Sequence, residues 1–187
     1  MKVTEKHVFF WQEYFSNWAL AQGGLRLKIG NEEYTVPTSE HIFMIFKAQY
    51  FNDEESVQKM LKVKTPKEVK ALGRGVKNFV PEKWDAVSSK YMTKAVTIRF
   101  EQDKKFAKML TDKKYQGKKF VEASPYDKIW GIGMDENNPD VDDESKWQGQ
   151  NKLGKCLTSL RDKVVNKSST EQFWSQQSLF HQYWETC

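Results

Sequence analysis

Cysteine, histidine and arginine are all scarce in this chain. Its 187 residues include two cysteines, three histidines and four arginines. Two cysteines do not suggest a disulfide framework, and the scattered histidines lack the spacing of metal ligands. We therefore expect no disulfide scaffold, no catalytic transition metal and no bound cofactor.

Long apolar segments are also missing. No stretch of the sequence approaches the roughly 20 apolar residues that a membrane-spanning helix needs. The first residues lack the apolar segment of a secretory signal. We expect a protein of the reducing cytoplasm with no membrane partner.

Positive charge is in excess, and it comes from lysine. The formal net charge is +5 and the sequence pI is about 9.0. This balance favours anionic partners such as phosphates, nucleotides or nucleic acid. Because arginine is rare in so lysine-rich a chain, each arginine either meets a need for fork-shaped hydrogen bonding or forms a surface ion pair.

The pattern of apolar and turn-forming residues indicates an α+β chain that is mostly helical. Alternation over Leu25–Ile29, followed by Gly30-Asn31, predicts a β-hairpin. After Pro37, a helix capped by Thr38 or Ser39 is apolar on nearly every face and should be buried. Further predicted elements are helices over 53–62, 66–73, 84–110 (one long or two short) and 153–165, and a strand near 120–123.

Two charged residues stand in the helix that is predicted to be most buried. Glu40 and Lys47 share one helical face with Phe43 and Met44. A buried charge is costly unless it is paired or used, so these residues are candidates for catalysis. The structural alternative is that Glu40 favours the helix N-terminus through the dipole while Lys47 extends to the surface.

Two glycine-containing segments could line a small-molecule site. Asp127 precedes Trp130 and Gly131 in a loop, where glycine allows close approach of a ligand and tryptophan offers a stacking face. Residues 147–154 place glycines before a helix, whose N-terminus can bind phosphate. Either segment could equally be a tight turn or a helix cap.

Six motifs, taken in order, resemble the YbiA-like, or NADAR, family. They span roughly residues 9–162 and are Tyr14-Phe15-Ser16-Asn17-Trp18, Thr38-Ser39-Glu40-His41 with Lys47, Leu72-Gly73-Arg74, Trp84 with Met92 and Lys94, Asp127-Lys128-Ile129-Trp130-Gly131-Ile132-Gly133, and Gly149-Gln150-Asn151-Lys152-Leu153-Gly154.

The resemblance implies a single α+β, mainly helical domain over 1–167 with a small antiparallel sheet. It also implies N-glycosidase activity on a base attached to a phosphorylated ribose. Residues 163–187 extend past the family core, and Ser168 with Glu171 predicts a helix over 168–187 that packs on the domain. The resemblance implies two groups of site residues: catalytic Glu40, Asp127 and Lys47, and substrate-binding Asn17, Arg74, Trp84, Trp130, Gly131 and Asn151.

The chemistry of such a reaction gives these residues distinct tasks. Breaking an N-glycosidic bond builds positive charge on the ribose, which a carboxylate stabilises, and the leaving base needs a proton. Glu40 and Asp127 could divide these tasks in either order. Lys47 could instead form a Schiff base with the aldehyde of an opened ribose.

The substrate class remains open at this stage. We expect ADP-ribose attached to guanine in DNA, so modified DNA is a candidate partner, and early riboflavin-pathway ribosylaminopyrimidine phosphates are the alternative. A non-catalytic ADP-ribose or nucleotide reader would not need Glu40, and a DNA-binding accessory protein would need a basic stripe. The loop over 134–146, with six acidic residues, would repel DNA if it covered the pocket.

Overall fold

Two small sheets and six helices make up the part of the chain that the computed structural model describes, residues 1–167. The elements are β1 (Lys2–Val3), β2 (His7–Phe10), β3 (Leu25–Ile29), β4 (Glu32–Val36), α1 (Ser39–Tyr50), α2 (Glu54–Met60), α3 (Pro66–Arg74), α4 (Pro81–Gln102), α5 (Lys104–Leu110), β5 (Lys119–Glu122) and α6 (Lys152–Lys167).

The predicted α+β fold class is confirmed, and one sheet holds a feature that the sequence did not predict. Strands β3 and β4 form the expected antiparallel hairpin, with Gly30 in its turn at a φ of 59°. The other sheet has the order β1-β2-β5, and β2 pairs with β5 in parallel. This pairing joins segments that lie more than a hundred residues apart, and it sets Phe10 beside Glu122.

Helix α1 lies at the centre of the fold. Thr38 caps it by accepting a hydrogen bond from the backbone N–H of His41, as predicted. Every residue from Ser39 to Ala48 is buried, because α2, α3 and α4 all pack against this helix. The prediction of a helix buried on nearly every face is therefore confirmed, and its two charged residues lie inside the protein.

The segment 84–110 forms two helices rather than one. Asp103 ends α4 and caps α5 by accepting from the N–H of Phe106. The buried Arg99 guanidinium donates to Asp103 at 3.3 Å and to the Ser16 carbonyl oxygen at 2.9 Å. Arg161 donates to the carbonyl oxygens of two loop residues. Two of the four arginines thus use their fork geometry to hold loop backbone.

The C-terminal helix predicted over 168–187 lies outside the described residues. None of the described helices is both long and apolar enough to cross a bilayer. Within residues 1–167, no group of three or more histidine, cysteine, aspartate or glutamate side chains is arranged to hold a metal ion.

Candidate active site

The Glu40 carboxyl group is buried at the beginning of α1. Glu40 is 3% exposed, and the side-chain amide of Asn17 donates to its Oε2. The Glu40 N–H also donates to the Asn17 carbonyl oxygen at 2.9 Å. Burial, together with the nearby Asp127, raises the pKa of Glu40 to about 7, although Lys70 opposes the shift. Burial therefore outweighs the favourable position at the helix N-terminus.

A second buried carboxyl group comes from the end of β5. Glu122 is 8% exposed, and its Oε2 has no hydrogen-bond partner within residues 1–167. Burial raises its pKa to about 8, and Asp127 and Glu40 add to the shift. Because these two carboxylates influence the Glu122 group, the three carboxyl groups belong to one cluster.

The third member of the cluster is Asp127, in the loop that follows β5. Its Oδ1 accepts from the N–H groups of Ile129 and Trp130, at 2.9 and 2.8 Å. Its Oδ2 lies 3.9 Å from the Lys70 Nζ atom, and its side chain is 27% exposed. Asp127 therefore shapes the loop with one oxygen and faces a lysine with the other.

Gly131 and Asn151 hold the backbone that carries these carboxyl groups. A Cβ atom on Gly131 would lie 2.9 Å from the carbonyl oxygens of both Asp127 and Glu122, so this position leaves no room for a side chain. The Asn151 side chain accepts from the Glu122 N–H at 3.0 Å and donates to the Phe120 carbonyl oxygen at 3.1 Å. The structure therefore gives these two predicted binding residues a supporting position.

Lys47 is buried and does not extend to the surface, and its ammonium group has protein partners. The Nζ atom donates to the Gly73 carbonyl oxygen at 2.7 Å and lies 3.9 Å from the centre of the Phe79 ring. Burial lowers its pKa, and the Glu40 charge partly opposes this effect. Its main contact is thus with the C-terminal end of α3, where the helix dipole also favours a cation.

The two predicted site tryptophans lie against the same core residue. Trp84 is 8% exposed, and it stacks on Tyr91 with ring centres 5.6 Å apart. Phe43 contacts Trp84 at 5.3 Å and Trp130 at 5.0 Å. This arrangement favours a core position for Trp84, whereas Trp130 is only partly buried.

An exposed aromatic ring and a lysine lie beside the carboxyl cluster, and an arginine follows one turn further along the helix that carries the lysine. Trp18 is 39% exposed and its side chain lowers the pKa of Glu40 by hydrogen bonding. The Lys70 Nζ atom lies 5.3 Å from the Trp18 ring centre. Arg74 is exposed one turn further along α3, so Lys70 and Arg74 share a helix face.

Glu122, Lys70 and Trp18 were not among the predicted site residues. A glutamate at the end of a predicted apolar strand was the available signal for Glu122, because a charge there should be buried. Lys70 carried no such signal because it is one of many lysines, whereas Trp18 stands beside Asn17 in the first of the six family motifs. Only the packing of α3 and of the loop after β2 brings them to Glu40.

Comparison with known proteins identifies the family and several relatives of this chain. Residues 9–165 match the model of the NADAR domain family. An N-glycosidase of Acanthamoeba polyphaga mimivirus is 33% identical over 168 residues, which cover 85% of this chain and 96% of the relative. Protein irg-1 of Caenorhabditis elegans is 36% identical, with 72% of this chain and 65% of the relative covered.

Two further similarities concern a plant protein and a solved structure. A chloroplastic riboflavin biosynthesis protein PYRR of Zea mays is 27% identical over 71% of this chain, but only 20% of its own length is covered. The NMR structure of the Escherichia coli protein YbiA superposes with a TM-score of 0.63, 25% identity and 89% coverage of both chains. Because the NADAR family model matches residues 9–165, which is most of its length, this chain belongs to the NADAR domain family.

Proposed function

We propose that this protein is an N-glycosidase that hydrolyses the bond between a base and a phosphorylated ribose. Membership of the NADAR family and the mimivirus N-glycosidase, which matches almost end to end, support the activity. The observation that carries the proposal is the buried Glu40 carboxyl group, held by Asn17 and facing a second acidic residue, Asp127.

Glu40 acts on the ribose side of the reaction. A carboxylate beside the anomeric carbon stabilises the positive charge that develops as the bond breaks, and it can take a proton from the attacking water. A pKa of about 7 lets the group change its charge near neutral pH. A protein that only reads ADP-ribose would not need a buried acid of this kind.

Trp18, Lys70 and Arg74 bind the rest of the substrate. The partly exposed Trp18 ring beside Glu40 offers the leaving base a stacking surface. Lys70 and Arg74, one turn apart on α3, can contact phosphate oxygens. Asn17 donates to Glu40, Trp130 packs against Phe43, and Gly131 and Asn151 keep the loop in its shape.

The Schiff-base role of Lys47 has less support than hydrolysis by Glu40. To attack an aldehyde, the Lys47 amine would leave both the Gly73 carbonyl oxygen and the Phe79 ring. Its lowered pKa would favour the reactive neutral amine, but its position favours a role in holding α3.

The preferred substrate in this proposal is ADP-ribose attached to guanine in DNA. The net charge of +5 favours a polyanionic substrate. In the acidic loop, Asp142 contacts His7 at 2.7 Å and Glu144 contacts Lys119 at 2.7 Å. These contacts lie at the starts of β2 and β5, about 10 Å along the strand from Glu122. That part of the loop therefore lies away from the carboxyl cluster, and Glu144 is paired with the Lys119 ammonium group.

Early riboflavin-pathway ribosylaminopyrimidine phosphates are the second candidate substrate. The match to plant riboflavin biosynthesis proteins, although it covers a small part of them, favours this candidate. Both candidates contain a base on a phosphorylated ribose, so the same residues would serve either one.

Direct incubation separates the two candidates. Purified protein is mixed with a DNA oligonucleotide that carries ADP-ribose on guanine and, separately, with the ribosylaminopyrimidine phosphate, and the released sugar phosphate is measured. We expect release from both and a higher kcat/KM for the modified DNA. If the protein cleaves neither substrate, even at protein concentrations in excess of substrate, the proposed function is contradicted.

A further inference from the structure

Glu122 is a buried acid that the mechanism above leaves unused. Its residue is 8% exposed, and its Oε2 has no hydrogen-bond partner within residues 1–167. A buried carboxylate without a donor is costly, whereas a neutral carboxyl group is tolerated far better. The isolation of Oε2 therefore favours a Glu122 group that keeps its proton at neutral pH.

The charged groups around Glu122 act in the same direction. After burial, which is the largest cause, Asp127 on the loop after β5 and Glu40 on α1 raise the pKa of Glu122, and Lys70 on α3 opposes them. The resulting value of about 8 means that the group is mostly protonated at neutral pH. The negative charges of Asp127 and Glu40 raise the pKa of Glu122 by more than the partly exposed Lys70 lowers it.

The end of β5 holds Glu122 rigidly on both sides. Its N–H donates to Asn151 Oδ1 at 3.0 Å, and its carbonyl oxygen accepts from the Ile132 N–H at 2.9 Å. The next residue, Ala123, donates its N–H to the Phe10 carbonyl oxygen at 2.7 Å. A group that must meet a substrate in one geometry benefits from such a fixed backbone.

The two buried carboxyl groups have opposite hydrogen-bonding environments. Asn17 donates to Glu40, so the Glu40 oxygen is an acceptor. Among residues 1–167 no group donates to Glu122 Oε2, so this oxygen can carry a proton and donate it. Asp127 accepts two backbone N–H bonds through Oδ1 and is less suited to donate from that oxygen.

On the basis of the N-glycosidase activity proposed above, we propose that Glu122 is the catalytic acid that protonates the leaving base. As the bond between the ribose C1′ atom and the base nitrogen breaks, its electron pair moves to the base, which takes the Glu122 proton. A water molecule adds its oxygen to C1′ and gives one proton to Glu40. The products are the free base and the ribose hydroxyl, and a proton then passes from Glu40 back to Glu122 through solvent.

The pH profile of a Glu122→Gln variant tests this role. The wild-type kcat/KM should decline above a pH of about 8, where Glu122 loses its proton. In Glu122→Gln the rate should fall by about 10²–10⁴-fold, and the alkaline decline should disappear. Glu122→Asp retains an acid, so it should show a reduced rate and keep an alkaline decline. Glu33→Gln, at an exposed position of β4, is the matched control and should behave as wild type.

Two results would overturn the assignment. One is a Glu122→Gln variant that melts at the wild-type temperature or higher and retains the wild-type rate. The other is an alkaline decline that persists unchanged in that variant. If the wild type cleaves no substrate, the proposed function fails separately, and the infrared band of a protonated carboxyl group at neutral pH still tests Glu122. That band should be present in the wild type and clearly weaker in Glu122→Gln, where the partly protonated Glu40 still contributes to it. Bands of equal strength in the two proteins would contradict the proposal.

Discussion

Asn17 and Glu40 are joined by two hydrogen bonds that run in opposite directions. The Glu40 N–H donates to the Asn17 carbonyl oxygen at 2.9 Å, and the Asn17 side-chain amide donates to the Glu40 carboxyl group. The pair fixes the loop after β2 to the first turn of α1. It places the carboxyl group at the point where the Trp18 ring and the Asp127 loop also meet.

Replacement of Glu40 by glutamine should abolish turnover and leave the fold intact. The amide retains the size of the side chain but removes the charge that stabilises the transition state, so kcat should fall by about 10²–10³-fold. Rate measurements under saturating substrate, together with thermal melting, check both parts. The exposed Glu33→Gln variant serves as the control, and near-normal activity of Glu40→Gln would contradict the assignment.

Replacement of Asn17 by aspartate should move the acid limb of the pH profile. A carboxylate beside Glu40 disfavours its ionised form, so its pKa should rise from about 7 by about one unit or more. The limb of kcat/KM on the acid side should then move to higher pH by a similar amount. Asn31→Asp, in the exposed hairpin turn, should leave the limb unchanged. An unshifted limb in Asn17→Asp would show that Glu40 does not set it.

Trp84→Ala should lower the stability of the protein, whereas Trp18→Ala should weaken substrate binding. Trp84 is packed against Phe43 and Tyr91, so its removal should lower the free energy of unfolding by about 3–5 kcal/mol. Trp18 is 39% exposed beside Glu40, so its removal should raise KM with little change in melting temperature. Thermal melting and substrate titration on both variants measure the contrast.

One result would contradict this assignment of the two tryptophans. If Trp84→Ala melts normally and loses affinity while Trp18→Ala binds normally, Trp84 is the stacking residue that the family resemblance implies. Trp84 would then line the substrate pocket and contribute little to the core.

Folding stability should decline as pH rises toward 8. The pKa of Glu122 is about 8 in the folded protein and 4.5 as its ordinary value, so the folded state binds the proton more tightly. Stability is therefore lost progressively as the pH rises from about 4.5 to about 8. The raised pKa of Glu40 contributes in the same direction up to a pH of about 7. Glu122→Gln should flatten this decline in urea denaturation measured across the range. An equally steep decline in the variant would place the responsible group elsewhere.

Salt should weaken the cleavage of modified DNA more than that of a small substrate. Contacts between lysine or arginine and DNA phosphates release counterions, so kcat/KM on ADP-ribosylated DNA should fall steeply between about 50 and 200 mM salt. The ribosylaminopyrimidine phosphate should show a much shallower dependence. A flat profile on the modified DNA, combined with fast turnover of the pyrimidine compound, would favour the riboflavin-pathway substrate.

Local pattern was sufficient for the elements that position Glu40 and Lys47. The Thr38 cap, the run of apolar residues after it and the Gly30 turn each depend on neighbours in sequence, so the sequence predicted helix α1 and the hairpin correctly. The same reasoning placed Glu40 and Lys47 on a helix that is apolar on nearly every face, but it left open whether Lys47 extends to the surface. The resemblance of six ordered motifs identified the family, and the match of the family model to residues 9–165 confirms it.

Tertiary structure decided which acids meet and which of them carry a proton. The parallel pairing of β2 with β5 depends on a contact between distant segments, and it brings Glu122 to the site from a strand that looked purely structural. Packing also turned Lys47 toward Gly73 and placed Trp84 among core rings. A pKa depends on burial and on charges from several elements at once, so the near-neutral values of Glu40 and Glu122 follow only from the folded arrangement.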